Sequence, residues 1–267
     1  MIRAHSALAS AFVLLAASAS ATGLAGTSSA AASMRSLCHT ASAKVDGGSY
    51  VVENDEYASS ASECLRVGDS TAFSVSRSAI ANPTDGTPGA YPSAYTGCHW
   101  GSCSSGGLAA HPLPVSALSP GTVTTDWSTA QPYHQREAYD VAYDIWVNRT
   151  PRTSGASNGS EIMIWLNHRG PVQPAGREVA RNVKIGIRHY DVWSTGSSTA
   201  SHGNTISYTL TSPHASVEGL DIGKVIGDAV ARGYTSPSWY LISVEAGFEL
   251  WRGGAGLASK SLAVHVK

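Results

Sequence analysis

Three stretches of this chain alternate with a period of two, and each places a carboxylate and a tryptophan on the same side of an extended backbone. Over residues 161–166, Glu161, Met163 and Trp165 share one face, while Ile162, Ile164 and Leu166 share the other. Over 139–147, Asp140, Ala142, Asp144 and Trp146 oppose Tyr139, Val141, Tyr143 and Ile145. Residues 243–251 read as one strand, with Ser243, Glu245, Gly247, Glu249 and Trp251 opposite Val244, Ala246, Phe248 and Leu250. The aliphatic faces are core. A core has little use for the other faces, whereas acids beside broad rings suit a cleft that cuts sugars, because carboxylates do the chemistry and rings stack on sugar faces.

Further strands are expected over 50–54, 72–77, 183–192, 205–210 and 257–266, separated by Gly, Pro, Ser and Asn turns. One stretch has helical spacing. Ile222, Val225, Ile226, Ala229 and Val230 fall at i, i+3, i+4, i+7 and i+8, with Asp221 placed to cap the start and Gly233 to end it. Many short strands with a single helix predict an all-β fold, a jelly-roll β-sandwich of two curved antiparallel sheets. The 267 residues hold no internal repeat and no Pro/Thr/Ser linker, so one domain is expected over 34–267.

Residues 1–33 read as an export signal: Arg3 begins it, 7–17 is apolar, and an Ala/Ser stretch offers cleavage positions anywhere from 21 to 33. No later stretch is long and apolar enough to span a bilayer, so the mature protein is expected to be secreted, extracellular, free of the membrane and monomeric. In that setting Cys38, Cys64, Cys98 and Cys103 form two disulfides. Of three connectivities, Cys38–Cys64 with Cys98–Cys103 closes the more local loops. A metal site on these cysteines would need thiolates in an oxidising compartment and has no CxxC pair, and the ten histidines show no metal-ligand spacing, so no metal is expected. With 18 Lys+Arg against 19 Asp+Glu and no basic run, a nucleic-acid partner has no electrostatic support.

Glu245 and Glu249 lie four residues apart, about 13 Å along a strand. Glycosidase carboxyl pairs stand about 5–5.5 Å apart in retaining enzymes and about 6.5–9.5 Å in inverting ones. A catalytic pair must therefore come from different strands, and Glu161 with Glu249 is the natural choice. Gly155-Ala156-Ser157-Asn158-Gly159 matches a nucleophile elbow by letters only, because it follows a loop and precedes a strand. Asn148-Arg149-Thr150 and Asn158-Gly159-Ser160 fit the glycosylation sequon, which matters only in a eukaryotic secretory host.

Tyr143-Asp144-Ile145-Trp146, Glu161-Ile162-Met163-Ile164-Trp165, Gly170-Pro171-Val172-Gln173-Pro174 and Ala246-Gly247-Phe248-Glu249 resemble the signature segments of glycoside hydrolase family 12. Their order and spacing are similar to those of its bacterial secreted endo-β-1,4-glucanases. Tyr91-Pro92-Ser93, Gly97-Cys98-His99, residues 190–196 and Gly254-Ala255-Gly256-Leu257 extend the resemblance over the whole chain from Cys38. It implies a concave glucan cleft, a retaining mechanism with Glu161 as nucleophile, Glu249 as acid/base and Asp144 hydrogen-bonded to the nucleophile, the same two disulfides, and no cofactor. The implied β-glucan contacts are Asp55, Tyr57, Tyr91, His99, Met163, Trp165, Pro174, Trp193 and Trp251.

The chain departs from the family pattern at several positions. Asn54-Asp55-Glu56-Tyr57 stands where relatives tend to have Asn-Asn-Arg-Trp, so Tyr57 offers a smaller ring and Asp55 only accepts hydrogen bonds when ionised. Ala175 replaces a bulkier aliphatic residue. Glu245 replaces a neutral polar one and is expected to raise the pKa of Glu249. These changes leave cellulose, mixed-linkage glucan and xyloglucan all open as the preferred substrate. A non-catalytic carbohydrate-binding jelly roll is the remaining alternative, but it would not need both glutamates.

Overall fold

The computed structural model describes residues 33–197 and 203–267; the expected export segment, except for its last residue, lies outside the described residues. The described chain forms two sheets. In spatial order, the first comprises Arg35–Cys38, Glu63–Val67, Phe73–Ser78, Ala258–Val266, Val123–Ala130 and Ser216–Asp221. The second runs Arg177–Ile185, Arg188–Ser194, Asn204–Leu210, Ser160–Arg169, Ala138–Asn148, Tyr240–Gly247, Ser93–His99, Tyr50–Glu53 and Ser42–Val45. The short strands Leu250–Arg252, Ser102–Cys103 and Leu113–Pro114 attach to it. Ser160–Arg169 and Asn204–Leu210 pair in parallel, whereas the other described pairs are antiparallel. This is the expected jelly-roll sandwich.

The alternation read from sequence decides which side of each strand is dry. Tyr143, Ile145, Val147, Ile162, Ile164, Leu166, Val244 and Ala246 point into one core against Leu65, Val67, Phe73, Val75, Trp127 and Leu262 of the other sheet. Trp127 anchors this core edge-on to Tyr143, at 5.1 Å between ring centroids. Its buried Nε1–H donates to Ser259 Oγ at 3.1 Å, which keeps the indole's polar atom satisfied. The helix Ile222–Ala231 buries Ile222, Val225, Ile226 and Ala229. Its cap is the expected one: the Asp221 carboxylate accepts from Lys224 N–H at 3.1 Å, and Gly233 leaves the helix at φ +77°. Cys38–Cys64 and Cys98–Cys103 are both bonded.

Three local expectations need correction. The strand expected over 183–192 is a hairpin, Arg177–Ile185 and Arg188–Ser194, because Gly186 takes φ +62° and turns the chain. The stretch 243–251 is not one strand. It breaks after Gly247, where a Cβ would meet Pro92 O at 2.4 Å, and Phe248 turns into the core between Phe73 and Trp127. The fold also contains a second helix of one turn, Gly107–Ala110.

Glu63 is fully buried beside Asn54. Burial, helped by the charges of Glu56 and Asp55 and only partly offset by Asn54, pushes its pKa up to about 8. The folded state therefore prefers the neutral acid. The associated stability is complete below the ordinary value of 4.5 and is lost as pH rises through about 8. Glu63→Gln should raise the melting temperature at pH 8.5 and leave it nearly unchanged at pH 4.5. Equal shifts at both pH values in thermal melts would contradict the buried-acid assignment.

Candidate active site

The outward faces of the central strands line a cleft of about 1140 Å³. Register places the acids. Trp146 pairs with Glu161 and Asp144 with Met163 across one ladder, and Asp144 pairs with Glu245 across the next. Glu161, Asp144 and Met163 therefore share the cleft face. Glu249 arrives differently, just past the break in its strand. Its N–H donates to Asp140 Oδ1 at 3.0 Å, while its C=O accepts from Asp140 N–H at 3.1 Å. This two-way clamp turns the Glu249 side chain into the cleft beside Asp144 and Glu161.

The three acids are not equivalent. Burial raises the pKa of each, because the charged form loses its water. Only Glu161 receives two side-chain hydrogen bonds that favour its ionised form. Thr205 Oγ1–H donates to Glu161 Oε2 at 2.7 Å, and Asp144 donates a second. Asp144 is held well above the usual carboxylate range by burial and by the charges of Glu161 and Glu249, so it keeps the proton it donates. Glu249 is likewise pushed well up by burial, then by Asp140 and Glu161. The arrangement can hold one carboxylate ionised and one carboxylic acid protonated in the same cleft. Glu245, expected to act on Glu249, instead bears on Glu161 and Asp144, and it is engaged by His99 and Ser243.

Most of the expected sugar contacts line this cleft. Asp55, Tyr57, Tyr91, His99, Met163, Trp165, Pro174 and Trp251 all do, although three of them support the floor more than they face the ligand. Tyr91 is buried and its hydroxyl donates to Ala142 O at 3.1 Å. Trp165 and Trp251 pack together with Met163, Ala138, Ala142 and Val172 as a small second core. Trp251 also donates from Nε1 to Gly86 O at 2.6 Å, tying down a loop of the cleft wall. Trp193 corrects an expectation. It faces the same side, paired with Ser207, but it lies next to the edge strand beside Glu178 and does not line the cleft.

Several cleft residues escaped the sequence reading. Trp100 is 53% exposed, stacked at 4.6 Å on His99 and edge-on to Trp146 at 4.9 Å, so the open aromatic surface comes from Trp100 and the half-exposed Tyr57. Trp100 sits in a turn at φ +41°, where strand periodicity carries no signal. Thr205 was visible only as a strand residue, and Asp140 only as an acid on the strand face that carries Asp144. In the cleft lining Glu53, Asp55 and His99 come together, one donor atom from each within 4.8 Å of the others, although His99 is more than forty residues from either acid. Burial alone would lower the His99 pKa, but Glu245, Glu53 and Asp55 outweigh it and hold it at about 10. Burial pushes Glu53 up to about 8 against the pull of His99.

A two-sheet jelly roll whose cleft presents coupled acids and open rings defines a carbohydrate-cleaving class of protein. Comparison with known proteins narrows it. The Glycosyl hydrolase family 12 profile matches residues 48–267, and the chain belongs to that family. It is 36% identical over 157 residues to a probable cellulase, Cel12b, of Mycobacterium tuberculosis, covering 58% of this chain and 96% of that one. Among solved structures it is similar to a metagenome-derived family 12 endoglucanase, with TM-score 0.80 and 35% identity over 89% of this chain and 99% of that one. The endoglucanase Cel12A of Rhodothermus marinus gives TM-score 0.79 and 38% identity over 87% and 99%. The protein is a glycoside hydrolase.

The clamp between Asp140 and Glu249 has a kinetic consequence. Asp140 is wholly buried, with its own pKa pushed by burial up to about 8, and its charge opposes ionisation of Glu249. Asp140→Asn preserves an oxygen for the Glu249 N–H and removes the charge. The alkaline limb of the kcat/KM profile should then move to lower pH, since the acid loses its proton more readily. An alkaline limb identical to that of the wild type would contradict this coupling.

Proposed function

We propose that this chain is a secreted, retaining endo-β-1,4-glucanase that hydrolyses internal bonds of cellulose and related β-glucans. Residues 34–267 form its single catalytic domain, acting as a monomer after an export segment over 1–33 is removed. The observation that carries the reading is the unequal treatment of Glu161 and Glu249 on one cleft face: two hydrogen bonds favour the charge of Glu161, while burial and neighbouring acids keep Glu249 protonated. In the first step Glu249 gives its proton to the leaving glycosidic oxygen while a Glu161 oxygen bonds to the anomeric carbon. The resulting ester removes the negative charge of Glu161, so Glu249, having given up its proton, is left as the base. In the second step it takes a proton from water as the water oxygen displaces Glu161. Asp144 holds the orientation of Glu161 through its hydrogen bond.

Trp100 and Tyr57 supply stacking surface for the glucan chain along the cleft. Asp55 and Tyr57 face the cleft at positions where the chain departs from the family segments, which keeps xyloglucan and mixed-linkage glucan in contention as the preferred polymer. Comparing rates on carboxymethylcellulose, barley glucan and xyloglucan ranks them.

Glu161→Gln and Glu249→Gln should each lower kcat on the best of these glucans by about a thousandfold or more, with little change in melting temperature. Near-wild-type rates in either variant would remove that residue from the chemistry. Binding without hydrolysis in the wild type would favour a carbohydrate-binding role.

A further inference from the structure

Two cleft residues, Asp55 and Tyr57, flank one that does not line the cleft. Glu56 turns the other way: its side chain is 1% exposed, and its Oε2 lies 2.7 Å from Nδ1 of His39. A carboxylate accepts, so Nδ1–H donates. The His39 imidazole is 67% exposed and lies outside the cleft. We propose that His39, acting through Glu56, is a positioning residue that sets the pose of Tyr57 and thereby the strength of glucan binding. The inference rests on the cleft being a glucan site, as proposed above.

The backbone between these residues is held in a conformation it would not choose. Residues 54–57 belong to no strand or helix, and Asp55 takes φ +38°, outside the regions that non-glycine residues favour. Such a residue stays there only where its surroundings impose it. Three main-chain contacts act on the segment: Asn54 N–H donates to Ala41 O at 3.1 Å, Glu56 N–H to His39 O at 3.2 Å, and Tyr91 N–H to Asp55 O at 3.0 Å. They fix where the segment runs. Its rotation about its own axis is fixed by Glu56, the inward side chain between the two that face the cleft.

The contact with His39 keeps Glu56 inside. The other carboxylate oxygen, Oε1, is buried without a hydrogen-bond partner, so the anchoring of this side chain depends on the imidazole N–H. A buried carboxylate that loses its donor suffers the full cost of desolvation, and it recovers water only by swinging outward. That swing turns the next residue, Tyr57, whose ring is half-exposed over the cleft. His39 is itself held from behind. It follows Cys38, which is bonded to Cys64, and takes φ +58° in a turn closed by Ala41 N–H donating to Cys38 O at 3.1 Å. The disulfide therefore anchors a latch that ends at the cleft.

The left-handed backbone at position 39 dictates the variants. Glycine removes the imidazole without adding strain, and asparagine tolerates the same φ while keeping an N–H donor near the place of Nδ1. On the glucan that the wild type hydrolyses best, His39→Gly should raise KM about three- to tenfold with kcat within about twofold, and His39→Asn should bring KM back to within about twofold of wild type. His39→Asp, which offers Glu56 a like charge, is the second variant and should raise KM at least as much. Tyr57→Ala should raise KM by itself, and adding His39→Gly should then change it by less than about twofold, because both act through one ring. Amides of residues 54–58 should exchange with solvent faster in His39→Gly and recover in His39→Asn. A wild type that binds cellohexaose in calorimetry without turning over any glucan would defeat the hydrolase reading alone, and the same comparisons are then made on Kd. Unchanged KM and Kd in His39→Gly and His39→Asp, a loss confined to kcat, additive effects of His39→Gly and Tyr57→Ala, or no cellohexaose binding by the wild type would overturn the proposal.

Discussion

The register between Ala138–Asn148 and Ser160–Arg169 is the constraint on which the whole site depends. Trp146 stands opposite Glu161 and Asp144 opposite Met163, so the two acids meet diagonally on one face. Sliding either strand by one residue would send every acid into the hydrocarbon interior and every Ile and Tyr into the cleft. The sandwich core prevents such a slip. Tyr143, Ile145, Ile162 and Ile164 are all fully buried, and Trp127 closes over Tyr143 from the opposite sheet. Core packing and catalytic geometry are thus two faces of one alignment.

The chemistry rests on how a dry cleft face treats several carboxylates at once. Burial raises the pKa of each of them, and hydrogen bonds then decide which one gives up its proton first. Glu161 accepts from Thr205 and from Asp144; Asp144 keeps its proton in order to donate it; Glu249 is opposed by the charges of Asp140 and Glu161. Such groups titrate as a set, so removing one charge changes the proton affinity of the rest. His99 supplies the opposing positive charge, where Glu53, Asp55 and Glu245 surround it.

Much of this was legible in the sequence, because period-two alternation survives folding intact wherever one face is core. The strands carrying Asp144 and Glu161, the Asp221-capped helix and both cysteine pairs followed from local pattern or from the family resemblance. Features set by contacts distant in sequence were not legible. The break at Gly247 depends on Pro92 O approaching where a Cβ would sit, and nothing local to 243–251 announces it. Gly186, which splits the expected strand over 183–192, could have been read as a turn residue, but the aliphatic flanks concealed it. Trp100 faces the cleft from a left-handed turn, and Trp193 misses it by lying too near the sheet edge. The grouping of Glu53, Asp55 and His99 arises from strand pairing over more than forty residues of chain, which no spacing motif encodes.

The central claim is that Glu161 forms a covalent bond to the sugar while Glu249 manages the proton. The most direct measurement is to trap that bond with a 2-deoxy-2-fluoro-β-cellobioside carrying a good leaving group, then locate the label by peptide mass spectrometry. The slowed second step should leave one fluoro-sugar per chain, esterified to Glu161. A label on Glu249, Asp144 or any other residue, or hydrolysis that releases the inverted anomer with no labelled peptide, would contradict the account.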